Sequence, residues 1–140
     1  MSLSLPDHVR TFLDDERYVI VATTDPDGTP RQAAVWYTLD GDEIVINSLV
    51  GRRWPSNLLR DPRIAFSVVD SEDGYRWVGL TGSVTVVEDQ ATAQADIAGM
   101  CRRYHADDPE EAERLVRERF ERQPRISFRL RPSRIVEHFD

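Results

Sequence analysis

Two arginines stand side by side in the stretch NSLVGRRWPSNLLRDPR (residues 47–63), where an apolar run ends and a short helical pattern begins. Guanidinium groups present paired N–H donors that match the oxygens of a phosphate. A helix start adds unpaired backbone N–H groups and a partial positive charge, and Gly51 lets the backbone turn closely before it. Arg52 and Arg53 are therefore candidates for an anion site. The competing reading is that they form a solvated pair in a turn. Trp36, Trp54 and Trp77 are of the type that stacks on a flat heterocycle, or packs a core or an interface. From its strand neighbours Trp36 reads as packing, and Trp77 as the stacking candidate.

Other chemistry is poorly represented. His8, His105 and His138 have no ligand-like spacing to one another or to Cys101, so no metal site is expected. No Ser/His/Asp arrangement can be drawn, and no catalytic residue is assigned. Tyr37 and Tyr75 could donate a proton, although a core or exposed role is the default for a tyrosine. The acidic stretch Asp107–Glu113 reads as a solvated face and a helix-start charge bias.

The totals set bounds on this chemistry. At 140 residues the chain is expected to be one domain, residues 1–140, able to bury roughly 68% of its unfolded surface. Its single cysteine, Cys101, reads as a buried helix residue that excludes an intrachain disulfide, and a reducing, cytoplasmic setting is expected. No apolar run approaches the ~18 residues of a membrane span, and the N-terminal residues do not read as a signal peptide. A net charge of −7 speaks against nucleic-acid binding. All eighteen cations are arginine, so any anion site uses guanidinium forks.

The elements that must position these residues follow from pattern and punctuation. Helical spacing predicts helices over Pro6–Glu16, Arg53–Arg60, Gln90–His105 and Pro109–Arg122. Strands are predicted at Tyr18–Thr24, Pro30–Leu39, Glu43–Leu49, Arg63–Asp70, Tyr75–Val87, Gln123–Arg131 and Arg134–Phe139. In Glu43–Leu49, Ile44 and Ile46 share one face, and Val45 and Asn47 the other. Gly79 and Gly82 inside a long strand predict a bulge or a close backbone approach. Tight turns such as Asp25-Pro26-Asp27-Gly28 imply antiparallel pairing. The expected class is mainly β (α+β): a six- to seven-stranded antiparallel barrel with short flanking helices.

The ordered set ATTDPDGTPRQAAVWY (22–37), DEIVINSLVGRR (42–53), SNLLRDPRIAFSVVD (56–70), YRWVGLTGSVTVV (75–87) and ISFRLRPSRIV (126–136) resembles the split-barrel flavin-binding proteins related to pyridoxamine 5′-phosphate oxidase. Within them it resembles the actinobacterial branch that uses the deazaflavin coenzyme F-420. The resemblance covers nearly the whole chain. It implies a split barrel, a homodimer with cofactor sites at the subunit interface, and hydride exchange between F-420 and a small unsaturated or oxidised organic substrate. It places Asn47 and Ser48 at a strand end beside the cofactor and Arg52, Arg53 and Asn57 in the phosphate-binding turn. Val35 and Trp36 lie on the strand under the ring, and Trp77 comes from the partner subunit. Proton delivery is left open among Tyr37, Arg76 and solvent. Relatives commonly carry a lysine just before the short helix, where this chain has Trp54-Pro55. FMN in an oxidase or oxidoreductase of the same fold is the alternative cofactor, and a non-catalytic cofactor or small-ligand binding protein the alternative function.

Overall fold

The structure is a computed structural model and describes residues 2–139. It begins with α1 (Asp7–Asp14), whose Val9, Phe12 and Leu13 are buried on one face. Strands β1 (Val19–Thr24) and β2 (Pro30–Val35) form a hairpin. Its turn is closed by a hydrogen bond from the Gly28 amide to the Asp25 carbonyl. Then come β3 (Thr38–Asp40), β4 (Glu43–Leu49), α2 (Arg53–Arg60), β5 (Arg63–Val69) and the long β6 (Trp77–Val87). Helices α3 (Gln90–Tyr104) and α4 (Pro109–Glu118), a 3₁₀ turn (Phe120–Arg122), β7 (Arg125–Leu130) and β8 (Arg134–His138) complete the chain.

All pairings are antiparallel. The strands run β2-β1-β5-β6-β7-β4-β3, with β8 also on β6, giving eight strands in a curled, split half-barrel. The expected count of six or seven is exceeded because the stretch Pro30–Leu39 is not one strand. β2 leaves β1 at the pair Val19↔Val35, and the chain re-pairs with β4 at Thr38↔Val45. The corner between them, Trp36-Tyr37, is fixed from far away in sequence. The fully buried Tyr37 hydroxyl donates to the Leu13 carbonyl at 2.7 Å, and the Tyr37 amide donates to the Tyr104 hydroxyl at 3.2 Å.

Alternation in β4 is as expected and defines two cores. Ile44 and Ile46 enter the main core with Phe66, Leu80 and Phe128. α2 adds Trp54 and Leu58 to it, the Trp54 ring lying 5.8 Å from that of Phe128. Val45, on the opposite face, joins a second core with Ile97, Met100, Cys101, Ala112 and Phe120 from α3, α4 and the 3₁₀ turn. Asp89 and Asp108 cap α3 and α4, accepting from the Thr92 and Glu111 amides at 3.1 Å. Two of the acids that follow Asp108 are occupied locally, Glu113 by Arg102 and Glu111 by Arg114. Across β1, β5, β6 and β8, the outward positions are largely small or apolar: Ile20, Ala65, Ser67, Gly79 and Val136. Val69 and Val136 are exposed there.

Gly82 realises the close approach expected in β6. A Cβ there would stand 2.8 Å from Leu130 Cδ1, 3.2 Å from the Arg131 carbonyl oxygen and 3.3 Å from the Ser133 amide nitrogen. Leu130 could rotate away, but the two backbone atoms are held where Ser133 donates to the Thr81 carbonyl. Gly82→Ala is expected to destabilise the fold by about 1–3 kcal/mol through overpacking. Urea denaturation checks this, and an unchanged midpoint would refute the constraint.

Candidate functional site

The site is built where the corner, β4, α2 and the 3₁₀ turn meet. Val35 and Trp36 form one wall of a cavity of about 220 Å³, and Ile97, Met100 and Phe120 form the other. Asn47, Arg52, Arg119 and Arg125 supply its polar lining, with Tyr18 and Ala34 completing the wall. Trp36 stacks on Tyr104 with centroids 5.1 Å apart and meets Phe120 edge-on at 6.2 Å. It therefore packs against the helices and also presents a wall of the cavity.

Asn47 is held by β4 under α3. Its Nδ2 donates to the Ala93 carbonyl at 2.9 Å and to Ser127 Oγ at 2.8 Å, and its Oδ1 accepts from Arg125 Nε at 2.9 Å. Ser127 donates onward to Asp96 at 2.7 Å. Burial, then the nearby charges of Arg52 and Arg119, lower the pKa of the Arg125 guanidinium to about 10. Gly51, at φ +98°, makes the turn into α2 that a side-chain-bearing residue rarely adopts. Among the described residues, no side chain caps the N-terminus of α2, where Arg52 stands.

Arg52 and Arg53 do not act as one pair. Arg52 lines the cavity, whereas Arg53 Nη1 points to Asp25 Oδ2 at 3.3 Å. Asp25 is a buried hub that also accepts from Arg31 Nη2 at 2.7 Å and from Asn57 Nδ2 at 2.9 Å. Asn57 reaches Thr23 as well, so Arg53 and Asn57 bolt α2 to the β1–β2 turn. Ser48 faces the barrel interior beside Ile126. Trp77 stacks on His138 on the outer face of the sheet, with centroids 5.8 Å apart, and lies outside this chain's cavity.

Four of the expected residues thus come together: Val35, Trp36, Asn47 and Arg52. Tyr37 is corrected as a proton source. Its hydroxyl is shut inside the core, donated to backbone, and burial pushes its pKa far above the usual phenol range. Arg76 is paired with Asp70 at 3.3 Å, next to Phe12 and Phe139, and does not line the cavity. Sequence reasoning missed Arg119 and Arg125. The signal for Arg125 lay in β7, where placing Ile126, Phe128 and Leu130 inward sends Arg125 and Ser127 to the face that carries Asn47. A larger groove along α4 is lined by Glu111, Glu113, Arg114 and Glu118, which are already ion-paired.

The family model described as pyridoxamine 5′-phosphate oxidase matches residues 5–139. Among solved structures, an F420 reductase aligns at 25% identity with a TM-score of 0.74, over 94% of this chain and 98% of its own. A conserved hypothetical protein from Mycobacterium tuberculosis aligns at 24% identity and a TM-score of 0.80, over 99% of this chain and 86% of its own. The heme storage protein HutZ from Vibrio cholerae shares the fold at 15% identity and a TM-score of 0.69, over 97% and 96% of the two chains. No curated protein matches in sequence.

The Asp25 hub makes a pH prediction. Hydrogen bonds from Arg31, then Asn57, lower its pKa to about 2 in the folded chain, against about 3.9 unfolded. A depressed carboxyl stabilises fully above the unfolded value and loses that contribution as pH falls through the folded one. Between about pH 4 and 2 the thermal midpoint of the parent should therefore fall more steeply than that of Asp25→Asn. Parallel curves from differential scanning calorimetry would contradict the coupling.

Proposed function

The chain belongs to the pyridoxamine 5′-phosphate oxidase family, and on that premise we propose that it is a coenzyme F-420-dependent oxidoreductase acting on a small unsaturated or oxidised organic substrate. The observation that carries this reading is the cavity itself, in which guanidinium groups without carboxylate partners stand beside an aromatic and apolar wall. Among the described residues, none of the three arginines of the cavity, Arg52, Arg119 and Arg125, forms a salt bridge, whereas Arg31 and Arg53 nearby share Asp25. Such a donor set suits a cofactor that joins a flat ring to an anionic tail. The 25% identity to an F420 reductase supports the deazaflavin over a flavin.

When bound, the cofactor supplies the hydride, and this chain's residues bind, orient and exclude water. Val35 and Trp36 would support the ring, Asn47 and Arg52 the polar and anionic groups, and Arg53 and Asn57 hold α2 in place through Asp25. With its hydroxyl enclosed, Tyr37 does not deliver the proton, and this chain's own Arg76 lies outside the cavity.

A second copy of the chain completes the site in this reading. The cavity of about 220 Å³ falls below the 300–1,000 Å³ of most ligand sites. Its lining residue Ala34 lies opposite Ile20, on the outward face of the sheet that carries Val69, Trp77 and Val136. A copy seated on that face would bring its own Trp77 toward the cavity. The family match itself favours the second reading, FMN in the same cavity, either in an oxidoreductase or as the ligand of a non-catalytic carrier.

Calorimetric titration with both cofactors decides between the readings, and F-420 is expected to bind the more tightly. Equal or tighter FMN binding would transfer the proposal to the flavin. Oxidation of reduced F-420 by a panel of unsaturated acceptors tests catalysis, and binding without turnover under any condition would favour a carrier. Sedimentation at micromolar concentration should show a dimer. A monomer that binds cofactor at full strength would remove the partner's Trp77 from the site.

A further inference from the structure

One side chain of the cavity has a chemistry that the proposed reaction has not used. Tyr18 lines the cavity together with Val35 and Trp36. Val19↔Val35 is the last pair of the β1–β2 hairpin, so Tyr18 and Trp36 leave its open end opposite each other. Tyr104 receives both rings, that of Tyr18 with centroids 5.6 Å apart and that of Trp36 with centroids 5.1 Å apart. The Tyr104 hydroxyl donates to the Arg17 carbonyl, next to Tyr18 in the chain. One residue of α3 thus holds both the backbone and the ring of Tyr18.

The hydroxyls of Tyr37 and Tyr104 are committed to backbone carbonyls. Tyr18 is 62% exposed, and its hydroxyl has no hydrogen-bond partner among the described residues. It also lines an open groove of about 320 Å³ with Glu16, Ser67 and Ser71, and so borders solvent outside the cavity. Among the residues that line the cavity, Tyr18 carries the only O–H group. The Asn47 amide and the Trp36 indole donate hydrogen bonds but do not release a proton near neutral pH. Arg125, its pKa lowered to about 10 by burial, is the rival acid. It is 5% exposed, with two nitrogens engaged by Asn47 and Gln123, so water has little access to restore a proton that it gave up. Tyr18 regains one directly.

We infer that Tyr18 is the proton donor of the reaction, and that the acceptors which need it are alkenes polarised by a carbonyl. This rests on the cofactor reading, which supplies the hydride. Hydride delivered to one carbon of the double bond brings two electrons, and the π pair moves toward the carbonyl as an enolate. A C–H bond then forms at the neighbouring carbon as the Tyr18 O–H bond breaks. Water returns a proton to the phenoxide. The substrate gains two hydrogens, and the cofactor loses two electrons.

The test compares the full chain with Tyr18→Phe, which removes one exposed oxygen and should keep the parent's thermal midpoint. Each receives reduced F-420 and one of two acceptors: cyclohexenone, or nitrocyclohexene, whose hydride adduct is a nitronate that persists without a proton donor. The variant should reduce the enone about a hundredfold more slowly. It should pass hydride to the nitroalkene at the parent's rate, with the nitronate accumulating. A merely structural role would slow both alike. Equilibrium binding gives a readout without turnover. With oxidised F-420 bound, p-nitrophenolate, an enolate-like oxyanion, should bind about tenfold more weakly to the variant. p-Nitroanisole, which lacks the anionic oxygen, should bind both equally. A variant that matches the parent on the enone and on p-nitrophenolate, or a parent that reduces the nitroalkene alone, would overturn Tyr18 as donor and leave the cofactor reading intact. A parent that binds F-420 yet reduces neither acceptor would overturn the oxidoreductase reading and the proton step that rests on it.

Discussion

The tyrosine corner between β2 and β3 is the constraint on which the rest of the structure depends. Tyr37 turns a continuous segment out of one half of the sheet and into the other, and its hydroxyl ties that bend to the end of α1. Tyr104 closes the same corner from α3, accepting from the Tyr37 amide and donating to the Arg17 carbonyl. One pair of side chains thus joins the first helix, both halves of the barrel and the helical cover. Trp36 is swung onto the face of Tyr104 as a result, which makes it a cavity wall rather than one more residue of a flat strand.

From that corner follows a division among the arginines. Two near the β1–β2 turn are neutralised: Arg31 and Arg53 share Asp25, and α2 is fastened by the same carboxylate. Arg17 and Arg76 share Asp70 at the far end of the sheet. Those around the cavity are left to neutral partners and an aromatic ring.

This explains what the sequence disclosed. Turns were legible because Pro and Gly act within four residues, and the two faces of β4 because alternation is local. The resemblance carried Val35, Trp36, Asn47 and Arg52 to one place. The break at Trp36-Tyr37 was hidden because WYTL is good strand sequence, and the hydrogen bonds that bend it come from Leu13 and Tyr104. Adjacency misled in Arg52-Arg53, since neighbours at a helix start point apart and only the fold reveals that Asp25 waits for one of them. Arg119 lay beyond reach because nothing local shows that α3 and α4 fold back over β4, whereas Arg125 was legible only through the alternation of β7.

The contrast between the whole chain and its cavity has a kinetic consequence. A net charge of −7 repels an anionic ligand at a distance, while the guanidinium cluster attracts it at contact range. With a Debye length of about 8 Å at physiological ionic strength, dissolved salt weakens the first effect over the approach path and the second only near the mouth. For an anionic ligand of the proposed kind, raising salt from a low level would therefore smooth the path inward while loosening the hold once seated, so that association and dissociation rates would rise together.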